Sequence, residues 1–313
     1  MTDEIRRAAE ILRAGGLVAF PTETVYGLGA DASNADAVAR LYKVKGRPAE
    51  HPVIVHFASA DAAFAWASEV PEAARVLAKH FWPGPLTLIL KCNEKAKSFV
   101  TGGQPSVGLR VPSHPVAQQL LRAFGEGIAA PSANRFGRVS PTTAAHVRAD
   151  LGADVDLVLE GGASEVGIES TIVELTGPSP VVLRPGAVTR EQIEATLKTA
   201  VRQKGKGEGA PRHSGGLERH YAPRTPARLV PTHALDGEIA RLKDAVAVLA
   251  FSRPDERVDY WLRMPRDPAA YAQRLYGALR ELDGAGCSQI LVEAPPDTAE
   301  WAAVRDRLMR ACT

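Results

Sequence analysis

Two cations separated by a single glycine begin the most informative stretch of the chain. Lys45-Gly46-Arg47-Pro48 ends an apolar-periodic segment, and Pro48 prevents a helix from continuing. A β-branched run, Val53-Ile54-Val55, follows and ends at His56. A loop stiffened in this way can point two cations at one anion, and charge-assisted hydrogen bonds to phosphate contribute about 1.5–3 kcal/mol each. Because loop cations are commonly only solvated, this interpretation requires the rest of a phosphate site elsewhere in the chain.

Other polar residues that could complete such a site stand at the ends of apolar runs, where α/β proteins bind ligands. They are Thr22, Thr24, Arg110, Ser132, Asn134, Ser170, Thr171 and Arg184. Taken singly, the hydroxyl residues are explained by turn capping and the arginines by surface ion pairs. Taken together, several cations and hydroxyls with few carboxylates between them predict a pocket for a polyanion.

The common nucleotide, metal and hydrolase motifs do not account for this pocket. No G-x-x-x-x-G-K-[ST] sequence is present, and the relaxed dinucleotide pattern Gly27-x-Gly29-x-x-Ala32 is separated by residues 21–26 from the strand that it should follow directly. His51 and His56 lie an odd number of positions apart, so an extended chain places them on opposite faces, without a cysteine or carboxylate at ligand spacing. A G-x-S-x-G nucleophile elbow is also missing.

Composition indicates an ordinary globular protein. The chain has 313 residues, of which 45% are hydrophobic and 24% charged. This length favours two domains, because single cores stop growing near about 250–300 residues. The net charge of +2 means that affinity for RNA would need a local basic patch. Three scattered cysteines, a charged start and no apolar run near about 20 residues predict a soluble, cytoplasmic protein without a signal peptide or membrane span.

Apolar periodicity alternates between helix and strand along the chain, which predicts an α/β fold. Predicted helices cover residues 3–13, 35–44, 61–69, 72–80, 115–124, 190–197, 269–282 and 299–310. Predicted strands cover residues 17–20, 86–90, 106–112, 128–130, 156–159, 170–175, 181–183, 245–251 and 289–292. A basic, glycine-rich stretch without apolar period predicts a flexible linker over 201–225, between a domain at 1–200 and a small α/β domain at 226–313.

Six short blocks follow one another along the first two thirds of the chain. They are Phe20-Pro21-Thr22-Glu23-Thr24-Val25-Tyr26-Gly27-Leu28-Gly29, Lys45-Gly46-Arg47-Pro48, Trp82-Pro83-Gly84-Pro85, Ala130-Pro131-Ser132-Ala133-Asn134, Gly167-Ile168-Glu169-Ser170-Thr171 and Leu183-Arg184-Pro185-Gly186. In order and spacing they resemble the YrdC-like family of threonylcarbamoyl-AMP synthases. Arg219-His220-Tyr221-Ala222-Pro223 and the residues after it resemble the long, two-domain form of that family.

The resemblance implies an enzyme that condenses L-threonine, bicarbonate or CO2, and ATP into threonylcarbamoyl-AMP and pyrophosphate. The threonine amine would capture CO2 as a carbamate, whose oxygen then attacks the α-phosphorus of ATP. The product would serve N6-threonylcarbamoyladenosine modification of tRNA through downstream transfer machinery, with at most a weak or transient contact with tRNA. The implied fold is a twisted open mixed α/β sheet with helices around a positively charged cavity, plus a smaller, Rossmann-like C-terminal α/β domain.

The same resemblance assigns site residues position by position. For threonine it implies Thr24, His56, Arg110, the backbone of Ala130, and Ser170. For ATP it implies Lys45, Arg47, Ser106, Ser132, Asn134, Ser140, Arg184 and, from the linker, Tyr221. His51 stands where the family usually has an asparagine, and it is kept as an ATP contact. Lys45 and Arg47 are the expected catalytic residues, since they would neutralise phosphate charge together with Mg2+, whose protein ligands the sequence does not identify.

Two other functions remain open at this point. A carbamoyltransferase that handles carbamoyl-adenylate is a related activity, although the chain has no zinc-finger or acylphosphatase-like segment. The cavity could instead belong to a non-catalytic RNA-binding module, against which the small net charge and the lack of an aromatic stacking platform argue. The linker that carries Tyr221 would act as a lid that keeps water from a hydrolysis-prone anhydride. The sequence does not decide the oligomeric state or the purpose of the second domain.

Overall fold

The structure of the chain is a computed structural model that describes residues 2–205, 211–216 and 219–312. It divides into two compact units. The first unit comprises Met1–Phe136, Pro141–Glu165 and Glu169–Gly216, and the second comprises Gly137–Ser140, Val166–Ile168 and Leu217–Thr313. The predicted domain borders at 200 and 226 stay predictions, and residues 206–210 and 217–218 of the predicted linker lie outside the described residues.

The first unit alternates strands and helices through most of its length. Its helices are α1 (Asp3–Arg13), α2 (Ala35–Lys45), α3 (Ala60–Phe64), α4 (Glu72–Phe81), α5 (Ser98–Thr101), α6 (Pro115–Phe124), α7 (Ala144–Leu151) and α8 (Arg190–Leu197). Its strands are β1 (Val18–Phe20), β2 (Gly27–Asp31), β3 (Ile54–His56), β4 (Leu86–Lys91), β5 (Ser106–Arg110), β6 (Ile128–Ala129), β7 (Leu157–Val158), β8 (Thr171–Glu174), β9 (Val181–Arg184) and β10 (Arg202–Gln203). The expected α/β fold class is confirmed by this order.

All the described strands of the first unit form one sheet in the order β10-β9-β8-β4-β5-β3-β6-β2-β1-β7. The pairs β1/β7, β3/β5, β4/β8 and β9/β10 are parallel, whereas β1/β2, β2/β6, β3/β6, β4/β5 and β8/β9 are antiparallel. The mixed sheet expected for the first domain is therefore confirmed. Its centre brings β3 beside β5, in a register that sets His56 opposite Arg110.

Helices α1 and α6 pack together over one apolar cluster of the first unit. Ile5 and Leu12 of α1 and Leu120 of α6 are buried there, together with Phe20 and Ile128 of the sheet. Both helices begin at a side-chain cap, because the Thr2 hydroxyl accepts from a first-turn N–H of α1 and the His114 ring does the same for α6. The predicted helices 3–13 and 115–124 are thus confirmed to the residue.

One strand was not predicted, and two expectations about local structure were wrong in detail. The glycine-rich block after Pro21 forms strand β2, where a Cβ on Gly29 would meet Ile128 and Phe20 side-chain carbons at 2.9 Å, so close packing requires glycine. The helix predicted over 61–69 ends at Phe64, since the next residues turn back to bridge Ala67 with Cys92. The stretch expected to be flexible begins with strand β10, whose backbone pairs with β9.

The second unit is a smaller α/β layer. Its strands are β11 (Ala227–Val230), β12 (Val246–Ala250), β13 (Tyr260–Arg263) and β14 (Gln289–Glu293), and its helices are α9 (Leu235–Arg241), α10 (Pro268–Asp283) and α11 (Ala302–Ala311). The strands pair in the order β11-β14-β12-β13, and every pair is parallel. A parallel sheet joined by helices agrees with the predicted small, Rossmann-like domain. In the described part of the chain, no helix has the length and apolar composition needed to cross a bilayer.

Candidate active site

A buried ion pair lies at the end of β5 nearest to the Pro21–Tyr26 loop. Arg110 Nη2 donates to Glu23 Oε1 at 2.7 Å and to Thr24 Oγ1 at 2.8 Å, and both charged side chains are 5% exposed. The second carboxylate oxygen of Glu23 accepts from Ser113 N at 3.0 Å. The Thr22 hydroxyl completes the cluster at 2.9 Å from Thr24 Oγ1. The structure thus brings together Thr24 and Arg110, as predicted, and adds a carboxylate that the sequence interpretation overlooked.

His56 lies at the end of β3, beside this ion pair. Its side chain is buried, and Nδ1 has no hydrogen-bond partner within the residues that the structure describes. Burial, reinforced by the positive charge of Arg110, holds the pKa of His56 well below its ordinary value. His56 is therefore a neutral ring with an unused nitrogen, and a hydroxyl or amine of a bound molecule could satisfy that atom.

Ser170 and Arg184 form a second buried cluster, at the start of β8 and the end of β9. Arg184 donates through Nε to the Ser170 carbonyl at 3.0 Å and through Nη2 to Ser170 Oγ at 3.2 Å. Thr87, which sequence analysis did not identify, contacts Ser170 Oγ with its own hydroxyl at 2.8 Å. Because Ser170 was assigned to threonine and Arg184 to ATP, these contacts couple the two predicted halves of the site. The main-chain N–H of Ala130, another predicted threonine contact, donates to Ile54 O at 3.0 Å.

Lys45 is buried at the C-terminal end of α2 and does not project into solvent. Its ammonium donates to the main-chain oxygens of Ser132 at 2.5 Å and Asn134 at 2.6 Å, so the predicted Ser132/Asn134 loop is tied directly to it. Burial, with a contribution from the nearby charge of Arg47, lowers the pKa of Lys45 well below its ordinary value. A phosphate beside this ammonium would favour the charged form again.

Arg47 follows Gly46, which ends α2 in the left-handed conformation with a φ of 63°. Its Nη2 donates to Pro52 O at 2.7 Å, and its guanidinium lies 5.6 Å from the centre of the Phe136 ring. The ring of His51 packs edge-on against Phe136 at 5.5 Å, and its pKa is lowered by burial and by Arg47. Arg47 and His51 therefore share one aromatic support, which suits the side predicted for ATP.

A small cavity of about 20 Å3, with room for about one water molecule, lies within the first unit. Its walls include the predicted Ser106, the strand residues Thr87 and Ile172, and the segment His213–Ser214. Ser214 contacts two of the predicted phosphate ligands: its carbonyl accepts from Arg184 Nη1 at 2.9 Å, and its hydroxyl lies 3.4 Å from Arg47 Nη2. Residues 212–214 thus line this cavity, and Ser214 also hydrogen-bonds to Arg47 and Arg184.

Two predicted ATP contacts, Ser140 and Tyr221, belong to the second unit. Ser140 is buried, and its carbonyl accepts from Arg280 Nε at 3.4 Å. Tyr221 is buried in a left-handed conformation with φ of 62°, where its ring packs on Tyr276 and beneath the Arg307 guanidinium. Their roles toward ATP stay predictions.

The backbone beside Ser170 leaves no room for a side chain at position 186, so a larger residue there should destabilise the fold. A Cβ there would lie 2.5 Å from Thr171 N and 2.9 Å from Glu169 O, so Gly186→Ala must push the start of β8. We expect Gly186→Ala to lower the free energy of unfolding by about 1–3 kcal/mol, measured by urea denaturation. Gly177→Ala is the control, because nothing lies within 4 Å of its Cβ position. Equal stability of the two variants would contradict this packing argument.

Comparison with known proteins identifies the family of the chain. The family model Sua5_yciO_yrdC, described as "Telomere recombination", matches residues 10–186. The model Sua5_C, described as "Threonylcarbamoyl-AMP synthase, C-terminal domain", matches residues 188–313. Threonylcarbamoyl-AMP synthases of Pyrococcus abyssi and Bacillus subtilis are each 39% identical to the chain; the alignments cover 98% of it and 94% and 92% of the relatives.

A solved structure extends the similarity to the whole fold. The crystal structure of P. abyssi Sua5 complexed with L-threonine has a TM-score of 0.92 and 38% identity, and the match covers 98% of this chain and 94% of that one. The resemblance drawn from the six sequence blocks is confirmed. The chain belongs to the Sua5_yciO_yrdC family, in the two-domain form that also carries a Sua5_C domain.

Proposed function

We propose that the chain is a threonylcarbamoyl-AMP synthase, which condenses L-threonine, bicarbonate or CO2, and ATP into threonylcarbamoyl-AMP and pyrophosphate. The observation that carries this proposal is the direct contact of Ser170 with Arg184, because it joins a residue predicted to bind threonine to a residue predicted to bind ATP. Near full-length similarity to proteins named threonylcarbamoyl-AMP synthase supports it.

L-Threonine would occupy the pocket around Arg110. The guanidinium suits the substrate carboxylate, and the hydroxyls of Thr24 and Ser170 suit its polar groups. His56 would offer Nδ1 to the side-chain hydroxyl, and the neutral ring avoids repulsion from the α-ammonium group. An analogue without the hydroxyl would leave a buried polar atom unpaired, which is how sites of this kind reject an isostere.

ATP would lie against Lys45, Arg47 and Arg184, with Ser132 and Asn134 on the loop that Lys45 holds. Among the described residues, no three His, Cys, Asp or Glu side chains form a metal-binding group. We therefore assign Mg2+ to the substrate, bound by phosphate and water oxygens as MgATP, which is usual for this cation. The protein would supply position and positive charge.

In the proposed reaction, the threonine ammonium loses one proton to solvent, its nitrogen bonds to the carbon of CO2, and a second proton leaves to solvent, which gives a carbamate that keeps one N–H. A carbamate oxygen then attacks the α-phosphorus of ATP, and the bond to the β-phosphate oxygen breaks to release pyrophosphate. Positive charge from Lys45 and Arg47 would stabilise the negative charge that grows on the phosphates. A covalent bond to the enzyme is not required.

The segment 211–216 would close over the anhydride product once pyrophosphate has left. Ser214 takes up hydrogen bonds from Arg47 and Arg184, and ATP phosphates would compete for the same donors. Binding of ATP would therefore displace Ser214, and its return would follow release of pyrophosphate. A lid suits the chemistry because water hydrolyses the mixed anhydride product.

The product would pass to tRNA-modifying transfer machinery, with only a transient contact between this chain and tRNA. We propose the cytoplasm as its compartment, which suits three free cysteine thiols. The direct test is pyrophosphate release from ATP, bicarbonate and threonine in the absence of RNA. Release that requires all three substrates is expected, whereas salt-sensitive RNA binding without turnover would contradict the proposal.

The lowered pKa of Lys45 predicts proton uptake when ATP binds. Burial lowers the pKa of Lys45 well below its ordinary value in the free protein, and phosphate charge should raise that pKa again and draw in a proton. Affinity for ATP should consequently fall as pH rises through the lowered pKa. Calorimetric titration at a series of pH values, each in two buffers of different ionisation enthalpy, measures the uptake, and Lys79→Met, at an exposed lysine, is the control that should retain it. Identical heats in both buffers would contradict this account.

A further inference from the structure

Glu23 has an unusual place for a carboxylate, since it lies in a pocket that would receive substrate anions. Its side chain is 5% exposed and is fixed at both oxygens, to Arg110 Nη2 at 2.7 Å and to Ser113 N at 3.0 Å. Burial of an acid is costly unless it is paired and hydrogen-bonded, and both conditions are met here. The proposed chemistry gives Glu23 no direct role.

The hydrogen-bond pattern of Arg110 explains what Glu23 does. Nη2 uses its two hydrogens on Glu23 Oε1 and Thr24 Oγ1, and Nε reaches Gly84 O at 3.4 Å. Nη1 makes no hydrogen bond to any residue that the structure describes, which leaves one end of the guanidinium for a ligand. A planar guanidinium held at one end presents the other end in a fixed direction.

We propose that Glu23 is a positioning residue for the amino-acid carboxylate: it holds Arg110 by Nη2 and so presents Nη1 to the substrate. This inference rests on the proposed function. Glu23 also balances the charge of Arg110, so the empty pocket does not carry an unpaired buried cation. Arg110 would therefore bind a ligand carboxylate in one orientation, because only its Nη1 end is available for a hydrogen bond to the ligand.

Glu23→Gln is the informative substitution, because it keeps the shape and removes one acceptor. The two oxygens of Glu23 both meet N–H donors, so the amide NH2 of glutamine must face either Arg110 or Ser113 N. We expect the KM for threonine to rise at least about tenfold and the KM for ATP to change less than about twofold. Glu160→Gln is the matched control, since its ion pair with Arg148 is exposed; it should leave both constants unchanged.

A double-mutant cycle distinguishes positioning from a general structural effect. If Glu23 acts through Arg110, Glu23→Gln should change threonine KM by less than about threefold once Arg110→Lys is present. Full additivity, or equal rises in the KM for threonine and ATP, would overturn the inference. If the glutamine variant does not fold, Glu23→Asp replaces it: it keeps the charge but shortens the reach, and a threonine Kd equal to wild type would likewise overturn it.

Threonine binding and product formation by the wild-type protein distinguish failure of the Glu23 inference from failure of the proposed function. Wild type that binds threonine and forms product, beside a Glu23→Gln variant with unchanged threonine KM, refutes only the role of Glu23. Wild type that neither binds threonine nor consumes ATP refutes the proposed function, and the role of Glu23 falls with it.

Discussion

Replacing Lys45 by alanine is expected to lower threonine-dependent pyrophosphate release by about 10²–10³-fold, the usual effect of removing one preorganised charge-stabilising donor. Lys45 is buried beside Arg47, and it would meet the phosphates where charge grows during transfer. The same ammonium holds the carbonyls of Ser132 and Asn134, so the variant should also lose about 1–3 kcal/mol of folding free energy. Pyrophosphate release normalised to the folded fraction separates the two effects.

The control for Lys45 is Lys79→Ala, which removes an exposed lysine from α4. It should retain both the rate and the stability of wild type. A Lys45→Ala variant whose normalised rate stays within about threefold of wild type would show that this lysine serves the loop alone and not the reaction.

Replacing Arg110 by methionine should be the most destabilising single change in the amino-acid pocket. It leaves the Glu23 carboxylate buried without its cation, and breaking a buried ion pair from one side costs about 3–5 kcal/mol. Threonine binding should be lost as well, because the proposed carboxylate ligand is gone. Urea denaturation and calorimetric titration with threonine measure the two consequences.

The double variant Arg110→Met/Glu23→Gln separates the loss of folding stability from the loss of threonine binding. Removing both charges should recover much of the lost stability, whereas threonine binding should stay absent. Arg148→Met, which breaks an exposed pair with Glu160, should cost at most about 1 kcal/mol. Recovery of threonine binding in the double variant would contradict the role given to Arg110.

Regular elements with strong periodicity could be read from the sequence with good accuracy. The apolar periodicity predicts a helix over 115–124, and the observed bounds of α6 agree. Strand β2 was not found, because the Gly27–Asp31 composition has no strand propensity and its pairing depends on close contacts with β1 and β6. The end of α3 was misplaced for a similar reason, since tertiary pairing at Ala67 ends it.

The candidate site could be located from the sequence, but its internal contacts could not. Types and spacing indicated Lys45, Arg110 and Arg184, yet nothing in the sequence showed that Lys45 turns toward main-chain carbonyls. Glu23 was passed over because a lone carboxylate beside two threonines looks like turn chemistry, and its partner is 87 residues away. Long-range pairings of this kind depend on the fold and leave no local pattern.

Mass spectrometry of the product formed from ATP, bicarbonate and each amino acid in turn tests the central claim most directly. The site described here predicts one dominant product, threonylcarbamoyl-AMP, formed with pyrophosphate and without RNA. Valine should yield far less adenylate than threonine, because it would leave His56 Nδ1 unpaired. Equal adenylate formation from valine and threonine, or AMP-anhydride formation that does not require an amino acid, would contradict the account.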